Sequence, residues 1–126
     1  MPIIKKVEKS WGFEIWFANS DLYCGKHLHV KKDKWTSEGL YHYHEIKDET
    51  FYIMNGRLQV DYVTDDSEFK TAILLKGDTF YVPPMMKHRF KGLNIAGCDM
   101  IEASTKHRDS DSFRVKWDED LKEWIH

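Results

Sequence analysis

The 126-residue chain has no long apolar run, only two cysteines, three prolines, and no large excess of either charge. Its longest apolar stretches, such as "TAILL" at 71–75, fall far short of the ~20 residues that a membrane-spanning helix needs. The opening "MPIIKKVEKSWG" has no extended apolar segment of the secretory type, and a cytoplasmic location is the expectation that follows. Without an export signal, Cys24 and Cys98 are expected as free buried thiols rather than a disulfide. The formal net charge is −2 with acids and bases interspersed, and the missing basic patch argues against a nucleic-acid partner. Internal repeats, low-complexity segments and domain boundaries are absent, so one domain over residues 1–126 is expected. Hydrophobic residues at 41% against 32% charged are enough for one core beneath a polar surface, which argues against disorder.

The sequence also lacks an amphipathic helix of ordinary length. What it has instead is alternation. In "SWGFEIWF", Trp11, Phe13, Ile15 and Phe17 share the strand period of two. "CGKHLHV" puts Lys26, Leu28 and Val30 on one face and His27 and His29 on the other. In "LYHYH", His42 and His44 share a face with Leu40, and Tyr41 and Tyr43 oppose them. After a polar bend at "EIKD", Glu49, Phe51 and Ile53 are in phase, and Asn55-Gly56 is a hairpin signal before "RLQVDYV". "FKTAILL", "TFYVPP", "HRFKG", "DMIEAS" and "SFRVKW" read as further short strands, and the tail "DEDLKEWI" predicts a short helical turn with Asp118 as N-cap. Many short strands with turns at intervals of roughly ten residues predict an all-β sandwich or barrel.

Residues two apart on a strand point to one side, so His42 and His44 can converge on one ion. A bend between His44 and Glu49 returns a carboxylate beside them, and His88, after the Pro83-Pro84 bend, is the best candidate for a fourth ligand. Three imidazoles and one carboxylate suit Zn, Mn, Fe, Ni or Cu, with positions left open for water or substrate.

This spacing resembles the cupin family. Its first motif, His-x-His, then Glu after four more residues and Gly after six more, is met by His42, His44, Glu49 and Gly56. In the second motif Gly77 and Pro83 fit, and His88 stands at the histidine. Thr36 replaces a glycine before the first histidine, Met85 a middle glycine, and Gly92 stands where Asn is common. The resemblance implies a jelly-roll barrel with a core from about residue 24 to 104, an N-terminal strand and a C-terminal extension. It also implies one divalent ion, Zn, Mn, Fe or Ni, on His42, His44, Glu49 and His88.

A narrower resemblance is to the cupin domain of type II mannose-6-phosphate isomerases. It rests on Trp11-Gly12, Lys26, "GDTFYVPPMMKH", Glu102, and an acidic segment running from Asp111 to Arg114. The isomerases commonly have Gln where this chain has His42. The likeness implies aldose–ketose isomerisation of a sugar or sugar phosphate, with Lys26 and Arg114 toward an anionic group and Glu102 and Lys26 as candidate catalytic residues. Two other classes stay open: a metal-dependent dioxygenase, and a module that binds a sugar or other small ligand without turnover.

Other residues read as follows. His27 and His29 face outward, and His107, in a polar segment, fits a solvated role ahead of a catalytic one. Lys26 fits either an anion-holding pocket or a rim position that snorkels to water. Arg114 fits either an anion clamp or a surface ion pair. Trp11, Phe51, Tyr62, Phe80 and Phe90 are expected to fill the barrel. Tyr41, Tyr43 and Trp16 are expected outside, at a homodimer interface, with Tyr52 and Tyr81 also packing between subunits.

Overall fold

A computed structural model describes residues 5–126. Residues 1–4, part of the opening segment read for an export signal, lie outside the described residues. Twelve strands form two antiparallel six-stranded sheets facing each other as a jelly-roll sandwich. The first sheet runs β1 (Lys5–Lys9), β2 (Gly12–Asn19), β3 (Cys24–Val30), β10 (Cys98–Ser104), β5 (Glu49–Asn55) and β8 (Thr79–Val82). The second runs β12 (Glu123–Ile125), β11 (Phe113–Asp118), β4 (Tyr41–Tyr43), β9 (His88–Gly92), β6 (Arg57–Val63) and β7 (Phe69–Leu75). Among the described residues the only helical pieces are single 3₁₀ turns at Thr36–Gly39 and Asp109–Asp111, and no helix is long and apolar enough to cross a membrane.

The period-two pattern decides what faces inward. Along β5, Glu49, Phe51 and Ile53 are buried while Thr50, Tyr52 and Met54 are exposed. Along β3, Cys24, Lys26, Leu28 and Val30 point in. The core between the sheets gathers Trp11, Val30, Ile53, Leu58, Val60 and Met100 with Phe51 and Phe90, while Tyr62 and Phe80 pack against it. Asn55-Gly56 makes the expected β5–β6 hairpin, with Gly56 at φ 88°. Cys24 and Cys98 are buried and free, as expected.

Three expectations are corrected. First, β2 presents its other face to the interior. Glu14 and Trp16 lie opposite Leu28 and Lys26 of β3, so Phe13 and Ile15 face outward, and a bulge near Phe17 leaves that ring half exposed over Gly25. The register is stabilised inside by a Trp16 Nε1 hydrogen bond to Glu14 Oε1 (2.9 Å) and by Glu14 beside Lys26 (3.8 Å). Trp16 is therefore a cavity residue, not part of an outer interface. Second, Tyr41 and Tyr43 are buried by the chain's own C-terminal hairpin: Tyr43 stacks on Phe113 (5.1 Å) and Tyr41 meets the edge of Trp124 (5.3 Å). Third, the tail is a strand hairpin rather than a helical turn. Asp118 Oδ1 accepts from the Asp120 and Leu121 N–H groups, so the aspartate shapes a tight turn that sends β12 back along β11. Tyr52 and Tyr81 are exposed, as their phase predicts.

Ile53 is fully buried and Ile73 about half exposed (51%). Ile53→Ala should cost about 2–5 kcal/mol by cavity formation, and Ile73→Ala less than about 0.5 kcal/mol. Urea unfolding of the two variants checks the placement of the core.

Candidate metal centre

The cavity lies at one end of the sandwich and has a volume of about 260 Å³. Each strand that reaches it carries a polar residue there and apolar ones deeper in. His42 and His88 are direct cross-strand partners on β4 and β9, and their rings are 5.7 Å apart. His44 follows at the end of β4, with its ring 4.5 Å from that of His42. Glu49, at the start of β5, places Oε1 3.5 Å from His44 Nε2. The four residues read as ligands thus surround one space.

Their hydrogen bonds orient them. His44 Nδ1 donates to the Asp111 carbonyl, and His88 Nδ1 donates to the Met86 carbonyl (3.1 Å). Both rings then carry their lone pair on Nε2, the arrangement in which backbone acceptors fix ligating histidines. The bend that carries Lys47 toward Glu49 is held by Asp111, whose carboxylate accepts from the backbone N–H groups of Glu45, Ile46 and Lys47. Burial keeps the imidazoles neutral, with His44 and His88 each lowered to about 4 and His42 well below its ordinary value. Burial, and then the nearby Glu102 charge, pushes the Glu49 carboxyl up to about 8. Glu49 Oε1 is buried with no hydrogen-bond partner. Burial makes the ionised form of this carboxyl costly, and a bound cation would stabilise that form and take the orphaned oxygen. Neutral imidazoles beside such an oxygen are a donor set that fits a divalent transition ion. His42 differs in turning Nε2 to Ser112 Oγ (2.7 Å), and among the described residues no group of three or more His, Cys, Asp or Glu side chains stands ready as a metal cage.

A second cluster lines the same cavity. Lys26 and Glu102 are cross-strand partners on β3 and β10, and both are buried. Lys26 therefore does not snorkel. Its Nζ lies 4.0 Å from the Trp16 ring centroid and 3.2 Å from His107 Nδ1. Glu102 accepts on Oε2 from Lys47 (2.6 Å) and from Ser104 Oγ (2.7 Å). Burial would raise the Glu102 carboxyl, but Lys47 and then Lys26 outweigh burial and hold it low. Arg114, the β11 partner of His42, lines the cavity mouth and donates through Nε to Ser37 Oγ (3.2 Å). It makes no ion pair among the described residues.

Besides Glu14 and Trp16 of β2, Lys47 and His107 are cavity residues that escaped the sequence reading. Lys47, only 2% exposed, shares the parity of Glu49 and Phe51, so its phase was a usable signal hidden by an apparent bend. His107 is corrected from a solvated residue to a cavity residue with its side chain 10% exposed. It lies in a connection with no periodicity, so the sequence carried no comparable signal.

A model described as the cupin domain matches residues 27–94, more than half of the chain. The chain belongs to the cupin family. Among solved structures this cupin is similar to oxalate decarboxylase from Bacillus subtilis at pH 4.6, with a TM-score of 0.78 and 15% identity over 88% of this chain and 30% of that one. It is also similar to CapF with the inhibitor 3-isopropenyl-tropolone, at TM-score 0.75 and 16% identity over 88% of this chain and 33% of that one. Another structure of the Bacillus subtilis decarboxylase, at TM-score 0.76 and 16% identity over 88% of this chain and 30% of that one, is described for its Mn(II) centres. At such identities the likeness establishes the fold alone, and the cupin spans about a third of the length of these proteins. No curated protein matches the chain.

His27 and His29 sit on the outer face of β3, away from the cavity, as expected. His27 Nε2 and His29 Nδ1 both donate to Asp99 Oδ1 at 2.8 Å, and Phe13 stacks on His29. Burial would raise the Asp99 carboxyl, but the two imidazole donors outweigh it and lower its pKa below the ordinary 3.8. A carboxyl lowered by folding stabilises the fold above its unfolded pKa, and that contribution is lost as pH falls through the lowered folded value. Asp99→Asn should therefore cost about 1 kcal/mol near pH 7. The difference from wild type should shrink to nothing as acid protonates Asp99, and urea unfolding across pH 2–7 checks it.

Proposed function

We propose that this cupin is a metal-dependent enzyme that interconverts the aldose and ketose forms of a small sugar or sugar phosphate. The observation that carries the metal requirement is the orphaned Glu49 Oε1 beside three neutral imidazoles. His42, His44, Glu49 and His88 would hold one divalent ion, and the Mn(II) centres of the oxalate decarboxylase relative make Mn a metal to test beside Zn, Fe and Ni. When bound, the ion would act as a Lewis acid toward substrate oxygens.

The chain's own side chains supply the rest of the reaction. Glu102 is held ionised by Lys47, the form in which a carboxylate accepts a proton. Both of its internal bonds fall on Oε2, which leaves Oε1 to take the proton from the hydroxyl-bearing carbon beside the substrate carbonyl and return it to the carbonyl carbon, while the hydroxyl proton passes from one substrate oxygen to the other. Lys26 and Lys47 stabilise the negative charge that develops on substrate oxygen between those transfers. Arg114, at the mouth and free of ion pairs among the described residues, suits the anionic tail of a phosphorylated substrate. Support for the sugar assignment is the motif likeness to the isomerases together with this cationic lining.

Elemental analysis should find about one divalent ion per chain, lost in the His44→Ala, His88→Ala double variant and kept in His27→Ala. Unchanged metal content in the double variant refutes the ligand set. The metal-free protein should remain folded, because the apolar core lies deeper than the site, and metal at a hundredfold excess over its Kd should add about 2.7 kcal/mol of stability. In a panel of sugars, sugar phosphates and small aromatics, Glu102→Gln should lower kcat by about 10²–10⁴-fold. Arg114→Ala should raise KM for phosphorylated sugars more than for neutral ones. Oxygen-dependent consumption of a non-sugar would overturn the isomerase reading in favour of a dioxygenase, and ligand binding without turnover at saturating metal would favour a binding module.

A further inference from the structure

Lys26 and Lys47 enter the cavity from separate parts of the chain, one from the middle of β3 and one from the bend before β5. Both are almost wholly buried, at 3% and 2% exposure. Their ammonium groups nevertheless reach one atom. Lys26 Nζ lies 3.2 Å and Lys47 Nζ 3.1 Å from His107 Nδ1. The other ring nitrogen, Nε2, donates to Asp109 Oδ1 at 2.9 Å. That bond puts the ring proton on Nε2 and leaves Nδ1 as the acceptor.

An imidazole nitrogen offers one lone pair, and here two buried cationic donors are aimed at it. A neutral nitrogen answers such a pair poorly. An anionic oxygen, with more than one lone pair and a charge, answers it well, because charge-assisted hydrogen bonds are roughly twice as strong as neutral ones. We propose that Lys26 and Lys47 form a cradle for one oxyanion of the ligand, a carboxylate or enediolate oxygen, and that His107 fills this place in the free protein. The ring leaves when the ligand enters.

The cost of moving it is confined to side-chain contacts, among them an edge contact with the Trp16 ring at 4.7 Å. His107 lies in the connection between β10 and the turn at Asp109–Asp111, so its displacement breaks no strand pairing. Its backbone N–H is tied to Asn19 Oδ1 (3.0 Å), a bond that side-chain rotation leaves intact. Its outer partner, Asp109, has a 93% exposed side chain, and an ion pair so exposed to water contributes little. The lysines are better fixed: Lys47 by Glu102 and Glu49, and Lys26 by the Trp16 face and by Glu14. Flanking carboxylates repel a free anion, so recognition depends on the two ammonium groups meeting at one point. The inference deepens the isomerase reading, in which this oxygen would be that of the enediolate. Its test uses metal-free protein and no turnover, so either idea can fail without the other.

The test is calorimetric titration of metal-free protein with sodium acetate and, separately, with inorganic phosphate, against a sodium chloride control. His107→Ala removes the competing ring and should tighten acetate binding about tenfold, the gain expected if the cradle is open about a tenth of the time in wild type. His107→Gln keeps an acceptor and should behave like wild type, and added imidazole should compete with acetate in His107→Ala. Lys26→Gln should weaken acetate at least tenfold in either background. Where Lys26→Gln lowers the melting temperature too far for titration, the His107 pair and the imidazole competition decide alone. Phosphate that follows the same pattern extends the cradle to phosphate oxygens. Acetate affinity that is unchanged in His107→Ala, or anion binding indifferent to both His107 and Lys26, overturns the proposal.

Discussion

The molecule is organised around the cost of placing charge inside a barrel. Lys26, Lys47, Glu49 and Glu102 are each no more than 3% exposed. Isolated, any one of them would cost several kcal/mol in desolvation, so each must find a partner of opposite sign. Lys47 pairs with Glu102 at 2.6 Å, and its ammonium is favoured strongly enough that its pKa rises despite burial. Glu49 is the group this arrangement satisfies least. One of its oxygens lies 3.6 Å from Lys47, the other has no partner, and its pKa is driven up to about 8. The interior thus pairs its charges almost completely and leaves an unpartnered carboxyl oxygen beside three imidazoles. That imbalance is a property of four particular side chains and does not follow from the fold.

Strand geometry turns this imbalance into a site. Along β3 the inward residues run Lys26, Leu28, Val30, along β5 Glu49, Phe51, Ile53, along β9 His88, Phe90, and along β10 Glu102, Met100, Cys98. In each case the polar residue lies at the same end and the apolar ones fill the deeper core. Glu102 is opposite Lys26 on one side and Phe51 on the other, so the register that packs the core also sets the ion-pair geometry. A one-residue slip of β10 would turn both its apolar residues and Glu102 to the outer face. Site and core are therefore specified together, which is why the same period of two in the sequence reports on both.

That coupling explains what could be read from the chain alone. Residues inside regular strands were placed correctly by phase: Lys26, Leu28, Val30, Glu49, Phe51, Ile53, and the outward His27 and His29. An all-β sandwich or barrel followed from the number of such strands, and the jelly roll from the resemblance to the cupin family. Phase alone failed where a choice between faces depended on a partner strand. In β2 both faces carry aromatics, and the inward set is selected by Glu14 and Trp16 meeting Lys26. Tyr41 and Tyr43 were rightly assigned to the face opposite His42. What covers that face is Val115, Phe113 and Trp124, and only long-range pairing of β11 with β4 reveals it. Lys47 was lost because a polar bend hid its phase, and His107 because connections have none.

The departures from the expected motif glycines and asparagine have separate physical accounts. Met85 occupies a position with φ 73°, so the turn keeps the conformation that favours glycine although the residue is not one, and its N–H is held by the His44 carbonyl at 2.6 Å. Gly92 cannot be exchanged for Asn, because any Cβ there would lie 2.4 Å from the carbonyl oxygens of Val30 and Lys31. Thr36 uses its side chain: Oγ1 accepts from the Phe90 N–H at 3.0 Å and ties the segment before β4 to β9. The next residues, Ser37 and Glu38, adopt φ of 52° and 55°, a strained pair for side-chain-bearing residues. Arg89 clamps the turn by donating to the Gly39 carbonyl (2.8 Å) while bound to Asp61, and Arg114 reaches Ser37 Oγ from β11. Two arginines and a threonine thus stabilise a turn at the cavity mouth. All three contacts involve strands bordering β4, β9 through Phe90 and Arg89 and β11 through Arg114, so the turn that leads the chain into His42 is braced by the strands on either side of that histidine.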